Sequence, residues 1–273
     1  MAPGRRRLDA ELVRRKIARS REQAAEWIKG GRVSVGGFVA KKPATVVEPD
    51  VSIKVSGDLD DEWASRGAHK LLGALQAFEP LGLTVAGKRA LDAGASTGGF
   101  TDVLLSREAK EVVAVDVGYG QLIWRLQNDD RVVVLDRTNI RNLTQDMMNG
   151  PADLMVGDLS FISLKLVLPA IAECMADGAD LLPMVKPQFE VGKDRLGHGG
   201  VVRSNELRAE VTEDVARFAA GLGLSCRGVV ASPLPGPSGN VEYFLWLVKD
   251  GGSSAPSEEE LTAMIVQAVE EGP

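Results

Sequence analysis

The sequence is poor in the side chains that most often carry chemistry. Its 273 residues hold two cysteines and two histidines, and aromatics make up 5%. Cys174 and Cys226 cannot supply the four ligands of a structural zinc site, and two cysteines do not make a disulfide scaffold. They read as core thiols of a reducing compartment. His69 and His198 stand apart, without other ligands at metal-binding spacing, so no metal is expected. No apolar run approaches the roughly 18 residues of a spanning helix. The basic start, Met1 to Arg7, has no apolar stretch behind it, so neither leader nor anchor is expected and the chain reads as cytoplasmic. Without a strongly apolar amphipathic helix, membrane lysis is disfavoured. Gly-x-Gly-x-x-Gly and P-loop spacings are absent too, which argues against a dinucleotide or a P-loop nucleotide.

The net charge of −6 conceals an asymmetry. Residues 1–42 carry +8 and the remainder −14, and the last 24 residues have six acids and no base. A basic head on an acidic chain suits a module that grips a polyanion, although a solvated basic face would look similar.

The head reads as a small domain over 1–57. Leu8, Leu12, Val13 and Ile17 are at helical spacing with Asp9 as the expected N-cap. Ser20 opens a second helix with Ala24, Ala25, Trp27 and Ile28 on its apolar side, and Gly30-Gly31 end it. Val33, Val35, Val46, Val47, Val51, Ile53 and Val55 then give short strands. The pattern Leu12-Val13…Ala18-x-Ser20-Arg21-x-x-Ala24, with Ile28-x-x-Gly31-x-Val33-x-Val35-x-Gly37 and Lys42-Pro43, resembles the S4 RNA-binding domain. That resemblance implies structured RNA as partner, bound by shape and backbone, with Arg5, Arg7, Arg14, Arg15, Arg19, Arg21, Lys41 and Lys42 as the expected contacts. Trp27 is expected in the core. Residues 58–66, acidic and polar, read as a linker in which Trp63 would anchor the two domains.

From 67 to 250 strand-like runs alternate with helix-length segments. The strands are expected at Arg89–Ala93, Glu111–Asp116, Arg131–Leu135, Asp153–Gly157, Asp180–Lys186, Leu224–Ala231 and Val241–Val248. Alternation of this kind predicts a doubly wound α/β sheet, mostly parallel, closed by an antiparallel hairpin from the last two strands. Residues 251–273 read as an acidic tail.

The first strand runs into a loop of small residues: Asp92-Ala93-Gly94-Ala95-Ser96-Thr97-Gly98-Gly99-Phe100. Small residues let backbone approach a ligand, and the helix that follows offers free N–H groups. Asp92 at the loop entry would repel a phosphate and suit an ammonium or sulfonium. Asp116 ends the second strand at the distance where an acid reaches ribose hydroxyls, and Asp136-Arg137 ends the third, where an adenine edge would lie. Three acids on successive strand ends fit S-adenosylmethionine.

The loop resembles the cofactor motif of FtsJ-type ribose methyltransferases, a class I, Rossmann-like fold. Ser65-Arg66-Gly67-Ala68-His69-Lys70, Asp158-Leu159-Ser160-Phe161, Val185-Lys186-Pro187-Gln188-Phe189-Glu190 and Gly239-Asn240-Val241-Glu242 extend the likeness. With the S4-like head, residues 7–249 resemble the TlyA (haemolysin A) family of rRNA 2′-O-methyltransferases. The resemblance implies a Lys-Asp-Lys-Glu tetrad on Lys70, Asp158, Lys186 and Glu242, and methylation of cytidine ribose in 16S and 23S rRNA by what is expected to be a monomer. Lys186 is the expected neighbour of the 2′-oxygen, as base or as electrostatic positioner, and Asp158 would also meet the methionine ammonium. No proline clamp follows Asp158, which favours an oxygen target over a base nitrogen. The rival readings are a non-catalytic ribosome-assembly protein and an N- or C5-methylating RNA enzyme.

Overall fold

A computed structural model shows the arrangement of residues 5–273 other than Lys16, Arg19, Asp50, 56–62 and Pro237, with the side chains of Lys193 and His198 also outside the description. The chain divides into two compact units, Met1–Glu62 and Trp63–Pro273.

The first unit contains β1 (Arg6–Arg7), α1 (Leu8–Arg14), α2 (Arg21–Lys29), β2 (Val33–Val35), β3 (Phe38–Val39), β4 (Val46–Val47) and β5 (Ile53–Val55). β3-β2-β5 form one antiparallel sheet and β1-β4 a second pair. Leu8, Leu12, Ala24, Trp27, Ile28 and Val33 are buried together, so Trp27 belongs to the core as expected. Ser20 caps α2 by accepting from the Gln23 amide. Asp9 is not the cap of α1. Arg7 holds that position without a side-chain bond, and Asp9 lies buried in the first turn. Its burial is tolerated because Arg7 and Arg21 both donate to its carboxylate.

The second unit contains α3 (Ala68–Phe78), β6 (Arg89–Ala93), α4 (Gly99–Ser106), β7 (Glu111–Val115), α5 (Trp124–Gln127), β8 (Val132–Leu135), α6 (Gln145–Met148), β9 (Ala152–Gly157), α7 (Leu168–Glu173), β10 (Met175–Val185), α8 (Pro187–Glu190), α9 (Asn205–Ala220), β11 (Leu224–Ala231), β12 (Tyr243–Lys249) and α10 (Glu258–Glu270). The seven-stranded order is β11-β12-β10-β9-β6-β7-β8. β10, β9, β6, β7 and β8 run parallel, and β12 pairs antiparallel with both neighbours, giving the expected closing hairpin. Period-two alternation divides each central strand between two faces. Leu91, Val113 and Met155 join the core of α7, α9 and α10. Ala90, Val112 and Leu154 join that of α3 and α4. Strand order reverses at β6, which lies between β7 and β9, so a crevice is expected beyond its carboxyl end.

Two boundaries differ from the sequence reading. Trp63 is buried in the same apolar cluster as Leu71, Leu75 and Phe100, and the Ala64 amide donates to Asp102 Oδ2 at 2.7 Å. Residues 63–66 therefore belong to the second unit; 58–62 lie outside the described residues. The presumed acidic tail contains α10. Its acids cluster in the first turn, where Ser257 and Glu260 form a capping box and the helix dipole favours negative charge. Leu261, Ile265, Ala268 and Val269 recur at i, i+4, i+7 and i+8 and are buried against the sheet. Ile265→Ala is expected to cost about 3 kcal/mol, read as a lower midpoint in urea, since Ile265 is 1% exposed.

Candidate active site

The glycine-rich loop is held open by backbone geometry. Gly94 has φ +86 and Gly98 φ +101, conformations that cost a non-glycine residue. A Cβ on Gly94 would lie 2.9 Å from the Asp158 carbonyl oxygen, so only glycine lets the β6 and β9 ends approach. The Gly94 and Ala95 amides both donate to the Val115 carbonyl. Ser96, at φ 48, donates its amide to Asp116 Oδ2 at 2.8 Å, while Asp116 Oδ1 receives the Gly118 amide at 2.7 Å. Asp136 Oδ2 accepts from the Gly120 amide, and the Arg137 guanidinium stacks 4.3 Å above the Tyr119 ring. Thr97, Gly99 and Phe100 complete the turn into α4. Asp116 thus meets the glycine loop, and Asp136 meets the neighbouring loop that follows β7.

Asp92 behaves differently from a rim carboxylate. It is fully buried and accepts from Thr101 Oγ1 at 2.7 Å, while its Oδ1 has no hydrogen-bond partner. Burial, reinforced by the negative charges of Asp158 and Asp116, pushes its carboxyl up to about 7. A cation beside this group would relieve a strain the fold otherwise leaves in place.

The four tetrad positions converge. Lys70 Nζ lies 2.6 Å from Glu242 Oε2 and 3.4 Å from Asp158 Oδ2. Lys186 Nζ lies 2.5 Å from Asp158 Oδ1 and 3.8 Å from Glu242 Oε1. The charges alternate around a ring, and Glu242, Lys186 and Lys70 are 0%, 5% and 8% exposed. Two buried ammonium groups are stable here because each faces both carboxylates. Lys186 stands at the carboxyl end of β10, where Pro187 opens α8, and Lys70 in the first turn of α3.

Three contributors were not singled out from sequence. Ser160 Oγ accepts from Lys186 Nζ at 2.9 Å. Thr101 holds Asp92. Asn240, 2% exposed, accepts from the Val202 amide and donates to the Gly200 carbonyl, tying that loop to the Glu242 segment. Ser160 and Asn240 lie inside the motifs that carry the family resemblance, and Thr101 directly follows Phe100 of the glycine loop, which was the available signal. A surface groove of about 500 Å³ between α3, β11 and α10 holds none of these residues, so charge and backbone geometry, rather than the size of a hollow, mark the site. Cys174 and Cys226 are buried free thiols, pushed up to about 11 by burial and outside this cluster. Among the described residues no group of His, Cys, Asp and Glu could hold a metal.

In the first unit, several expected RNA contacts have internal partners. Arg14 and Arg15 both donate to Glu11, which the Arg14 guanidinium holds down at about 2. Arg15 also donates to the carbonyls of Pro49 and Val51. Arg7 and Arg21 neutralise Asp9, and Arg5 pairs with the exposed Glu48. Arg19 lies outside the described residues. Lys41 and Lys42 are exposed and make no ion pair among the described residues. Arg15→Ala is expected to lower the unit's stability by about 1–3 kcal/mol, by freeing two carbonyls and part of Glu11. Lys41→Ala with Lys42→Ala should leave folding intact, and should weaken rRNA binding with a shallower slope of log K against log salt. Equal thermal losses in the two variants would refute the distinction.

A seven-stranded sheet with a glycine loop at its switch point and a buried Lys-Asp-Lys-Glu ring defines a methyltransferase of the FtsJ-like class. The FtsJ-like methyltransferase family matches residues 63–249, and the S4 domain matches 6–53. The 16S/23S rRNA (cytidine-2′-O)-methyltransferase TlyA of Mycobacterium tuberculosis is 58% identical over 98% of this chain and 99% of its own. Hemolysin A of Brachyspira hyodysenteriae is 34% identical over 87% of this chain and 98% of its own. The solved structure of a "putative hemolysin" from Streptococcus thermophilus superposes with a TM-score of 0.75 at 36% identity, covering 98% of this chain and 96% of that one. The chain belongs to the TlyA family of FtsJ-like methyltransferases.

Proposed function

We propose that the protein transfers a methyl group from S-adenosylmethionine to the 2′-hydroxyl of cytidine in ribosomal RNA, 16S and 23S. The observation that carries this reading is the buried Lys70–Glu242–Lys186–Asp158 ring beside the glycine loop. The M. tuberculosis relative's named activity supports it, as does an S4 domain on the same chain. No helix among the described residues is long and apolar enough to cross a membrane.

The residues fit such a cofactor. Gly94, Ala95 and Ser96 would present backbone, Asp116 and Asp136 at their strand ends would meet ribose and adenine, and the unpartnered Asp92 Oδ1 suits a nearby positive charge. S-adenosylmethionine supplies an electrophilic methyl on a sulfonium, a good leaving group. The protein's task is then alignment and removal of one proton. In-line positioning contributes about 7–11 kcal/mol. Lys186 sits nearest the reacting oxygen: it holds that oxygen and, when neutral, takes its proton as the carbon–oxygen bond forms. Asp158 and Glu242 fix the amine, and Lys70 balances Glu242 so that one buried carboxylate is not left bare. S4 cations outside the Asp9 and Glu11 clusters would hold the RNA backbone.

The test is incubation of purified protein with ribosomal subunits and methyl-labelled S-adenosylmethionine, followed by nucleoside mass spectrometry. Label on a cytidine ribose is expected. Label on a base, or none on either subunit, would discard the assignment.

A further inference from the structure

Lys186 carries three N–H bonds as an ammonium, and its surroundings are uneven. Asp158 Oδ1 lies at 2.5 Å and Ser160 Oγ at 2.9 Å, but Glu242 Oε1 at 3.8 Å is beyond hydrogen-bond reach. Asp158 Oδ1 and Glu242 Oε1 are both buried and neither has a hydrogen-bond partner, so the 2.5 Å contact to Asp158 is an ion pair and the bond to Ser160 is the aligned one. Resting on the function proposed above, we infer that Ser160 is a positioning residue for the transfer: its hydroxyl is the acceptor that fixes one N–H of Lys186 and so sets the direction in which the amine meets the ribose hydroxyl.

The arrangement around Ser160 supports this. A lysine amine rotates freely about its last bond, so direction must come from its partners. Asp158 Oδ1 draws the amine by charge from 2.5 Å but accepts no aligned hydrogen bond from it, so it does not by itself set the rotation. The aligned bond to Ser160 Oγ does. Ser160 is exposed, whereas Lys186 and Glu242 are buried, so its hydroxyl does not satisfy a packing need of the core. The next residue, Phe161, takes φ 63, an unfavourable left-handed conformation for a bulky side chain, and is 91% exposed. Its ring meets Phe189 at 5.2 Å, joining the loop that carries Ser160 to the short helix that follows Lys186. The backbone turn and the ring pair together hold the hydroxyl at the amine.

Ser160→Ala is expected to lower kcat about tenfold while KM for ribosomal subunits and the affinity for S-adenosylmethionine stay within twofold. Ser160→Thr, which keeps the hydroxyl, should restore most of kcat. A second readout needs no turnover. In ¹⁵N-lysine-labelled protein alone, Ser160→Ala should shift or broaden the Lys186 ammonium resonance and leave that of Lys70, which does not touch Ser160, in place. An unchanged kcat, a loss confined to KM for RNA, or an unmoved Lys186 resonance would each overturn the inference. Failure of the parent protein to methylate ribose would overturn the proposed function instead, and the resonance would still report whether Ser160 holds the amine.

Discussion

Lys186→Met is expected to lower methyl transfer by about 10³-fold while S-adenosylmethionine binds within threefold of the parent. General-base assistance and orientation of the attacking hydroxyl together contribute about 10²–10⁴ in such sites, and Lys186 is the tetrad member that bonds Ser160 and lies 2.5 Å from Asp158. Methionine keeps the length of the stem but offers no hydrogen. Lys70, 2.6 Å from Glu242, continues to balance that buried carboxylate, so folding should survive with a moderate loss of stability. Lys186→Arg makes the sharper comparison. It retains the positive charge, but a planar guanidinium cannot place one nitrogen where the amine sits. Both variants should be slow. Full activity in Lys186→Arg would mean that charge alone suffices; full activity in Lys186→Met would remove Lys186 from the mechanism.

The second large effect is expected at Asp92, with two readouts of opposite sign. In the folded protein burial pushes this carboxyl up to about 7 from an ordinary value of 3.8. A raised carboxylate binds its proton more tightly folded than unfolded, so its contribution to stability falls as pH rises from about 4 to 7 and the full cost is present above that. Asp92→Asn removes the cost. It should raise the stability of the cofactor-free protein at pH 8 by about 1–3 kcal/mol, a gain of several degrees in melting temperature. The same change should weaken S-adenosylmethionine binding by about tenfold to a hundredfold, because the negative charge that attracts a sulfonium or ammonium is gone. In the parent, affinity should fall as pH drops below about 7, and in Asp92→Asn that dependence should disappear. Calorimetric titrations at pH 6 and 8 on both proteins check this. A destabilised variant that binds normally would show Asp92 to be structural.

Much of this protein is written locally in its sequence. The strands of the catalytic unit were legible because buried parallel strands are short apolar runs, and the observed β6, β9 and β11 agree with the expected ranges to within a residue at either end. β10 was underestimated: it begins at Met175, which pairs with Ala152, and passes through an irregularity at Asp177 and Gly178 before pairing with β9 again from Asp180, so the polar interruption hides its first part. The C-terminal helix was obscured by its charge. Counting acids suggested a tail, whereas the spacing of Leu261, Ile265, Ala268 and Val269 encoded a buried face.

The sequence by itself determined the two-domain order, the α/β alternation and the glycine loop, since these depend on residue type and spacing along the chain; the four tetrad positions were implied by the resemblance to a family. Tertiary structure alone decided the rest. It turned Arg14 and Arg15 inward to Glu11, buried Asp92 until its carboxyl titrates near neutrality, and brought Ser160 to the Lys186 amine. The reason is that desolvation and ion pairing depend on distance in space. Lys70 and Glu242, separated by 172 positions, become partners only when α3 and the segment entering β12 meet beside the same strand ends.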